Sequence, residues 1–135
     1  MDRAAQLYED MLPFSERLGL RFVSAELDRI TGELEVRSDH CTRPGTIHGG
    51  VLMSFADSLG AAGAMINLPD GARTSTIESK TNFIGPAMAG ERLTGEATPI
   101  HRGRSTMVWQ TRISTEDGRL VAMVTQTQIV LPGRN

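Results

Sequence analysis

The stretch that most constrains this chain runs from Pro44 to Asn67, PGTIHGGVLMSFADSLGAAGAMIN, where a turn and a His-Gly-Gly lead into an apolar segment carrying one carboxylate. Pro44 and Gly45 mark the turn. Leu52, Phe55, Ala56, Leu59, Ala62 and Ile66 then recur at helical spacing, which predicts a helix starting near Gly49. Between His48 and Asp70 the only charged residue is Asp57. An unpaired buried charge is costly, so a lone Asp in an otherwise apolar helix is a functional-site candidate. The alternative is a narrow solvent-facing edge that Asp57 shares with Ser54 and Ser58. A helix apolar on nearly every side must be covered nearly all round, and a long twisted sheet curling about it is the economical cover. Gly60 and Gly63 fit that picture: each costs about 1 kcal/mol against Ala inside a helix, so two of them suggest close approach by a sheet or a partner helix, or else a tolerated weakness.

With 135 residues the chain fits one domain, residues 1–135, burying about two thirds of its unfolded surface around one core. A net charge of -2 gives no nucleic-acid footprint, and one cysteine excludes an intrachain disulfide framework. The first residues, MDRAAQLYEDMLPF, carry scattered charges and no apolar core of a signal peptide, so a reducing cytoplasm is the expected setting. The Gly49–Pro69 run is long enough to raise a membrane span. A central Asp costs roughly 2.5–3.5 kcal/mol on insertion scales, which favours a buried helix of a soluble protein instead.

Along the chain, Met1 to Leu18 suits a short surface helix and a turn, interrupted by Pro13. Leu20–Leu27 and Ile30–Val36 read as strands, with Asp28 to Gly32 available for the turn between them, and Ser38 to Thr46 reads as polar loop. Leu68-Pro69-Asp70-Gly71 stops the long helix. Four strands follow, Arg73–Ile84, Glu91–His101, Ser105–Thr115 and Arg119–Leu131, broken at Gly85–Gly90, at Arg102-Gly103-Arg104 and at Glu116-Asp117-Gly118, whose Asp-Gly is a hairpin signal. The class is α+β with one antiparallel sheet.

His48-Gly49-Gly50 at a helix start offers free backbone N–H groups and the positive end of the helix dipole, suited to an oxyanion or a polarised carbonyl. From His48 to Asp57, nine residues at 1.5 Å rise give about 13 Å, too far for both ends to touch one reacting carbon. If they cooperate, the second helix comes from another copy of the chain, antiparallel, so that Gly49 of one faces Asp57 of the other. A zinc site from His40, Cys41 and His48 matches no finger spacing, and Cys41 has no helper His placed by spacing to make it a nucleophile. Met53, Phe55, Leu59 and Met65 are available for an acyl pocket or for plain core packing.

GTIHGG followed by FAD, then STIESKTNFIGPA and a GR before a strand, resembles the hotdog-fold acyl-CoA thioesterases, in particular the PaaI-like branch, over about Leu18 to Val130. The resemblance implies a long central helix wrapped by a curved antiparallel β-sheet, dimers sharing two active sites and often paired into tetramers, and hydrolysis of a CoA thioester without a cofactor or metal, away from nucleic acid and membrane. It implies Asp57 as general base or nucleophile, the Gly49 N–H of the opposite subunit on the thioester oxygen, His48 positioning that carbonyl or the helix end, and Thr76 orienting water or the carboxylate, with Ser75 the one-residue register alternative. Gly50 and Thr42 fall on the substrate side, and Arg102 and Arg104 where similar proteins contact CoA, although a basic turn is an equal reading for Arg102. The family often carries Asn where this chain has Thr42. An acyl-thioester hydratase or dehydratase of the same fold and a noncatalytic acyl-CoA binding module are the competing functions.

Overall fold

Pro13 starts a second helix rather than only interrupting the first. In the computed structural model, which describes residues 2–133, α1 (Arg3–Glu9) is capped by Asp2, whose carboxylate accepts the Ala4 N–H at 3.2 Å. α2 (Pro13–Leu18) places Pro13 in its first turn, where a missing N–H leaves no bond unmade, and ends at Gly19 with a φ of +88°. There follow β1 (Arg21–Glu26), β2 (Arg29–Glu35), a single 3-10 turn (Ser38–His40), the central helix α3 (Gly49–Ile66), and β3 (Arg73–Phe83), β4 (Arg92–Arg102), β5 (Thr106–Thr115) and β6 (Leu120–Leu131). One six-stranded sheet runs β1-β2-β4-β5-β6-β3 with every pairing antiparallel. The sheet curls about α3, which packs on β2, β3, β4, β5 and β6. This is the hotdog architecture the resemblance implies.

Three expectations need correction. The β1–β2 turn is made by Leu27 and Asp28 and does not extend to Gly32, which lies inside β2 opposite Gly95 of β4. A β-carbon on Gly32 would stand 2.7 Å from Leu59 Cδ2, and one on Gly95 2.5 Å from Leu59 Cδ1 and 2.9 Å from Phe55 Cζ. The glycine pair thins the sheet where α3 presses on it, so it serves packing. The Ser38–Thr46 loop is not wholly a polar surface segment either, because His40 is buried. Its Nδ1 accepts the Arg37 N–H at 3.0 Å, which leaves the proton on Nε2 to donate to the Leu18 carbonyl at 2.9 Å. With both ring nitrogens engaged, His40 is not free to join Cys41 and His48 on a metal.

Finally, α3 is not covered all round within one copy of the chain. Leu52, Phe55, Ala56, Leu59 and Ala62 to Ala64 are buried, in a core with Ile30, Leu34, Leu93, Trp109 and Ile113, each large side chain contributing about 1.5–3 kcal/mol. α2 lies on the other flank, Ser15 Oγ to Ser58 Oγ at 3.1 Å. Between α2 and the β3 edge a strip stays open, with Met53 38% and Met65 48% exposed. Asp57 is on that strip. By length and composition α3 could cross a membrane, but here it is the axis of the sheet.

The connection after β3 positions the rest. β3 and β4 are consecutive in the chain yet not neighbours: β3 forms the far edge beside β6, and the Gly85–Gly90 segment returns across the molecule, pairing Met88 with Thr46 and giving the Ala87 carbonyl to the Ile47 N–H at 2.8 Å. That strap fixes the approach to the α3 N-terminus.

Candidate active site

At the start of α3 four N–H groups lack i−4 helical partners, and that of His48 goes to the His40 carbonyl at 2.9 Å. His48 is the N-cap, and its Nδ1 accepts the Gly50 N–H at 2.8 Å. The Val51 N–H goes to the His48 carbonyl at 3.0 Å. Among the described residues the Gly49 N–H meets no acceptor. The helix start therefore presents one free donor at its positive end, and that donor is Gly49 rather than Gly50. Phe83 at the end of β3 flanks it: a β-carbon on Gly49 would be 2.8 Å from Phe83 Cε1. The loop before the helix is tied to α2 by Arg37, which donates to the Arg17 and Leu18 carbonyls. The same guanidinium, beside Asp39, holds that carboxyl below the usual carboxylate range.

Asp57 sits two turns further on, half-buried, and its carboxylate is gripped from one side. Thr76 Oγ1 donates to Asp57 Oδ1 at 2.7 Å and Gln126 Nε2 donates to the same oxygen at 3.1 Å. Among the described residues Oδ2 carries no hydrogen bond. The register question is resolved by this contact: Thr76 faces the helix, and Ser75 faces out and is exposed. A β-bulge between Thr76 and Glu78 then resets the pairing of β3 with β6, so that Thr74 and Thr76 before it and Ser79 and Thr81 after it are all at least partly covered.

Sequence reasoning missed the second layer. Gln126 and Gln128, both fully buried on β6, stand on the inner face of the sheet. Gln128 Nε2 donates to Thr76 Oγ1 at 2.5 Å, and Thr74 Oγ1 donates to Gln128 Oε1 at 2.9 Å. The signal was present in the period-2 phase of β6: Val124, Gln126 and Gln128 share one face, and Val124 is a core residue.

Asp57 also lines an apolar cleft of about 180 Å3 between α3 and the N-terminal helices, walled by Leu7, Met11, Leu12, Phe14, Phe22 and Met65 among others. Of the four pocket candidates from the sequence, Met65 alone belongs to this cleft. Phe55 and Leu59 are fully buried in the core and Met53 is on the open strip.

Other predicted site residues are not brought to Asp57 within one chain. Gly49 and His48 lie at the N-terminal end of the same uninterrupted helix. Thr42 is exposed, and its hydroxyl donates to the Thr46 carbonyl at 3.1 Å, so its proton is spent within its own loop. Arg102 ends β4 with Nη1 on the Leu27 carbonyl at 3.2 Å. Arg104 lines a separate surface groove with Pro69, Asp70, Ala72 and Val130.

The family described as Thioesterase superfamily matches residues 44–122. A Pseudomonas aeruginosa protein, described as an esterase in one comparison and as a thioesterase in its crystal structure, is 31% identical over 120 residues, covering 87% of this chain and 82% of that protein. The crystal structure of a mutant of it superposes with a TM-score of 0.89 at 28% identity, over 96% of this chain and 94% of that one. A 1,4-dihydroxy-2-naphthoyl-CoA hydrolase of Listeria monocytogenes is 30% identical over 108 residues, 80% of this chain and 87% of that protein. The E. coli PaaI protein shares the fold, with a TM-score of 0.88 at 22% identity over 97% of this chain and 93% of that one.

Proposed function

This chain belongs to the thioesterase superfamily and is a thioester hydrolase, and we propose that its substrate is an acyl-CoA with an aromatic or medium-chain acyl group, cleaved at a site shared between two copies. The observation that carries the reading is the one-sided grip on Asp57, with Oδ1 doubly hydrogen-bonded and Oδ2 free at the wall of an apolar cleft. A carboxylate so held keeps one oxygen directed and basic. In the general-base route Oδ2 removes a proton from water as the water oxygen bonds to the thioester carbon. The C–S bond then breaks, and the proton passes from Asp57 to the departing thiolate. In the nucleophilic route the same Oδ2 bonds to the thioester carbon, the C–S bond breaks and CoA leaves as thiolate to take a proton from solvent, and water then cleaves the mixed anhydride to the free acid and the Asp57 carboxylate.

The negative charge that develops on the carbonyl oxygen needs a donor, and the free one is the Gly49 N–H. Within one chain it lies eight residues from Asp57, about 12 Å along the helix. The donor for each Asp57 is therefore Gly49 of the partner subunit, with the open strip of α3 and the β3 edge as the surfaces that meet. His48 holds the helix end by capping it. The acyl group lies in the cleft beneath α1 and α2, while Arg102 and Arg104 suit the phosphates of CoA. The protein acts in the cytoplasm, with no cofactor.

The test is a panel of aromatic, medium-chain and enoyl-CoA thioesters followed by both thiol release and absorbance of the conjugated enoyl group. Thiol release with kcat/KM highest for aromatic or medium-chain acyl groups supports hydrolysis. Loss of enoyl absorbance without thiol would make the chain a hydratase. Ligand-dependent stabilisation without turnover would make it a binding module.

A further inference from the structure

The buried hydrogen bonds behind Asp57 all run in one direction. The Thr74 hydroxyl donates its one proton between Gln128 Oε1 and the Ile129 carbonyl, each at 2.9 Å, while Gln128 Nε2 donates to Thr76 Oγ1 at 2.5 Å and Thr76 Oγ1 to Asp57 Oδ1 at 2.7 Å. The polarity is imposed by the charge at its end. An ionised carboxylate is acceptor-only, so the Thr76 proton must point at Asp57. The Thr76 oxygen must then be met by a donor, which turns the Gln128 amide so that its NH2 faces Thr76 and its carbonyl faces Thr74. With the amide reversed, two acceptors would face each other with no proton between them, at a fully buried position where water cannot replace the lost bond.

We propose that Gln128 is a positioning residue for hydrolysis, acting on Asp57 only through Thr76, and that Thr74 anchors it. Bonded from below by the amide, the Thr76 hydroxyl has one orientation and cannot turn its proton away to donate to water or to substrate. Oδ1 is permanently occupied, and the proton taken up and released during turnover stays on Oδ2. The chain never has to reverse. Gln126 reaches Oδ1 directly and independently, so it sits outside this relay. The inference rests on the reading of Asp57 as the reacting carboxylate.

The test is a double-mutant cycle between positions 128 and 76, read as kcat and KM for thiol release from the panel's best acyl-CoA. Gln128→Met keeps the length of the side chain and removes the amide. Thr76→Val keeps the shape and removes the hydroxyl. Each is expected to lower kcat about tenfold, the order expected for losing a hydrogen bond to a charged group, with KM changed less than about twofold. In the double variant kcat should be no lower than in the worse single one, because position 128 has nothing left to act on. In Thr76→Ser, which restores the hydroxyl, Gln128→Met should again cost about tenfold. A residue that only packs the sheet would give multiplicative losses in the cycle and the same effect whichever residue occupies position 76, and that result overturns the proposal. If Gln128→Met does not fold, Thr74→Val answers the question: kcat reduced about threefold at unchanged KM supports the relay, and unchanged kcat overturns it. Asp57→Asn is assayed alongside. Activity lost there with no effect of Gln128 or Thr74 removes the relay alone; activity retained there removes the underlying reading and the relay with it.

Discussion

The amide of Gln126 occupies the space that the β-carbon of any residue but glycine would need at position 60: that carbon would stand 2.3 Å from Gln126 Oε1. The same amide donates to Asp57 Oδ1 through its nitrogen, so a helix glycine and a strand glutamine are fitted together beside the carboxylate. Gly60→Ala must push the amide away, and it is buried with nowhere to go. The expected result is a kcat for thiol release reduced about tenfold, from loss of one hydrogen bond to a charged group, in a protein that still folds. Steady-state kinetics beside a thermal melt checks it, and wild-type kcat would show that Gln126 does not matter to Asp57.

Gly63 meets a harder neighbour. A β-carbon there would lie 2.7 Å from the Trp109 ring, which is fully buried. Alanine gains about 1 kcal/mol of helix propensity, but overpacking a rigid ring costs typically 1–3 kcal/mol. Gly63→Ala should therefore lower stability in urea unfolding by up to about 2 kcal/mol, without the activity loss at constant fold expected for Gly60→Ala. A gain in stability would mean that the sheet gives way here.

The cleft beneath α1 and α2 presents acceptors rather than donors. Its charged members are Asp10 and Asp57, the Ser54 hydroxyl donates to the Gly50 carbonyl, and the Ser58 hydroxyl donates to the Ser54 carbonyl. Ser15 then supplies the proton between its own oxygen and that of Ser58. An acyl group ending in a carboxylate would meet two like charges and no free donor, so its kcat/KM should fall at least about tenfold below that of a neutral acyl group of similar size. A thioester panel with and without a terminal carboxylate decides this, and equal kcat/KM would place the acyl group elsewhere.

Gly49 is the first residue of α3, where the fixed φ of proline suits the helix, so Gly49→Pro deletes the free N–H, while its β-carbon, 2.8 Å from Phe83 Cε1, requires that exposed ring to swing aside. An Asp57→Ala chain and a Gly49→Pro chain are each expected to be inactive alone. Mixed, half the dimers hold one intact site of two, giving roughly a quarter of wild-type thiol release. No recovery on mixing would contradict the shared site.

Much of the architecture was legible because it is written in local patterns. The helix start at Gly49 and the strand limits lie within a residue or two of those expected from apolar periodicity and Gly-rich breaks, and Gly60 and Gly63 do mark close approaches of the sheet. Gly32 misled because a strand glycine opposing another glycine looks, in sequence, like turn chemistry. What makes it a packing residue is Gly95, 63 positions away. The placing of β3 beside β6 was likewise beyond local reading, since it depends on long-range pairing. For the site, Asp57 stood out by its charge, and Thr76 by resemblance. Gln126 and Gln128 did not stand out, because polar residues in a strand ordinarily face water, and only the carboxylate across the core gives them a reason to face inward.

Asp57 carries the proposed reaction, and thiol release by Asp57→Asn at saturating acyl-CoA measures its role most directly. Asparagine keeps the size of the side chain and an oxygen for Thr76, while removing the base. The expected result is a kcat lowered about 1000-fold, within the range for loss of a positioned general base, in a protein with unchanged melting temperature to within a few degrees. A kcat within about threefold of wild type would contradict the central claim, since a carboxylate that can be neutralised at so little cost is not the group that carries the reaction.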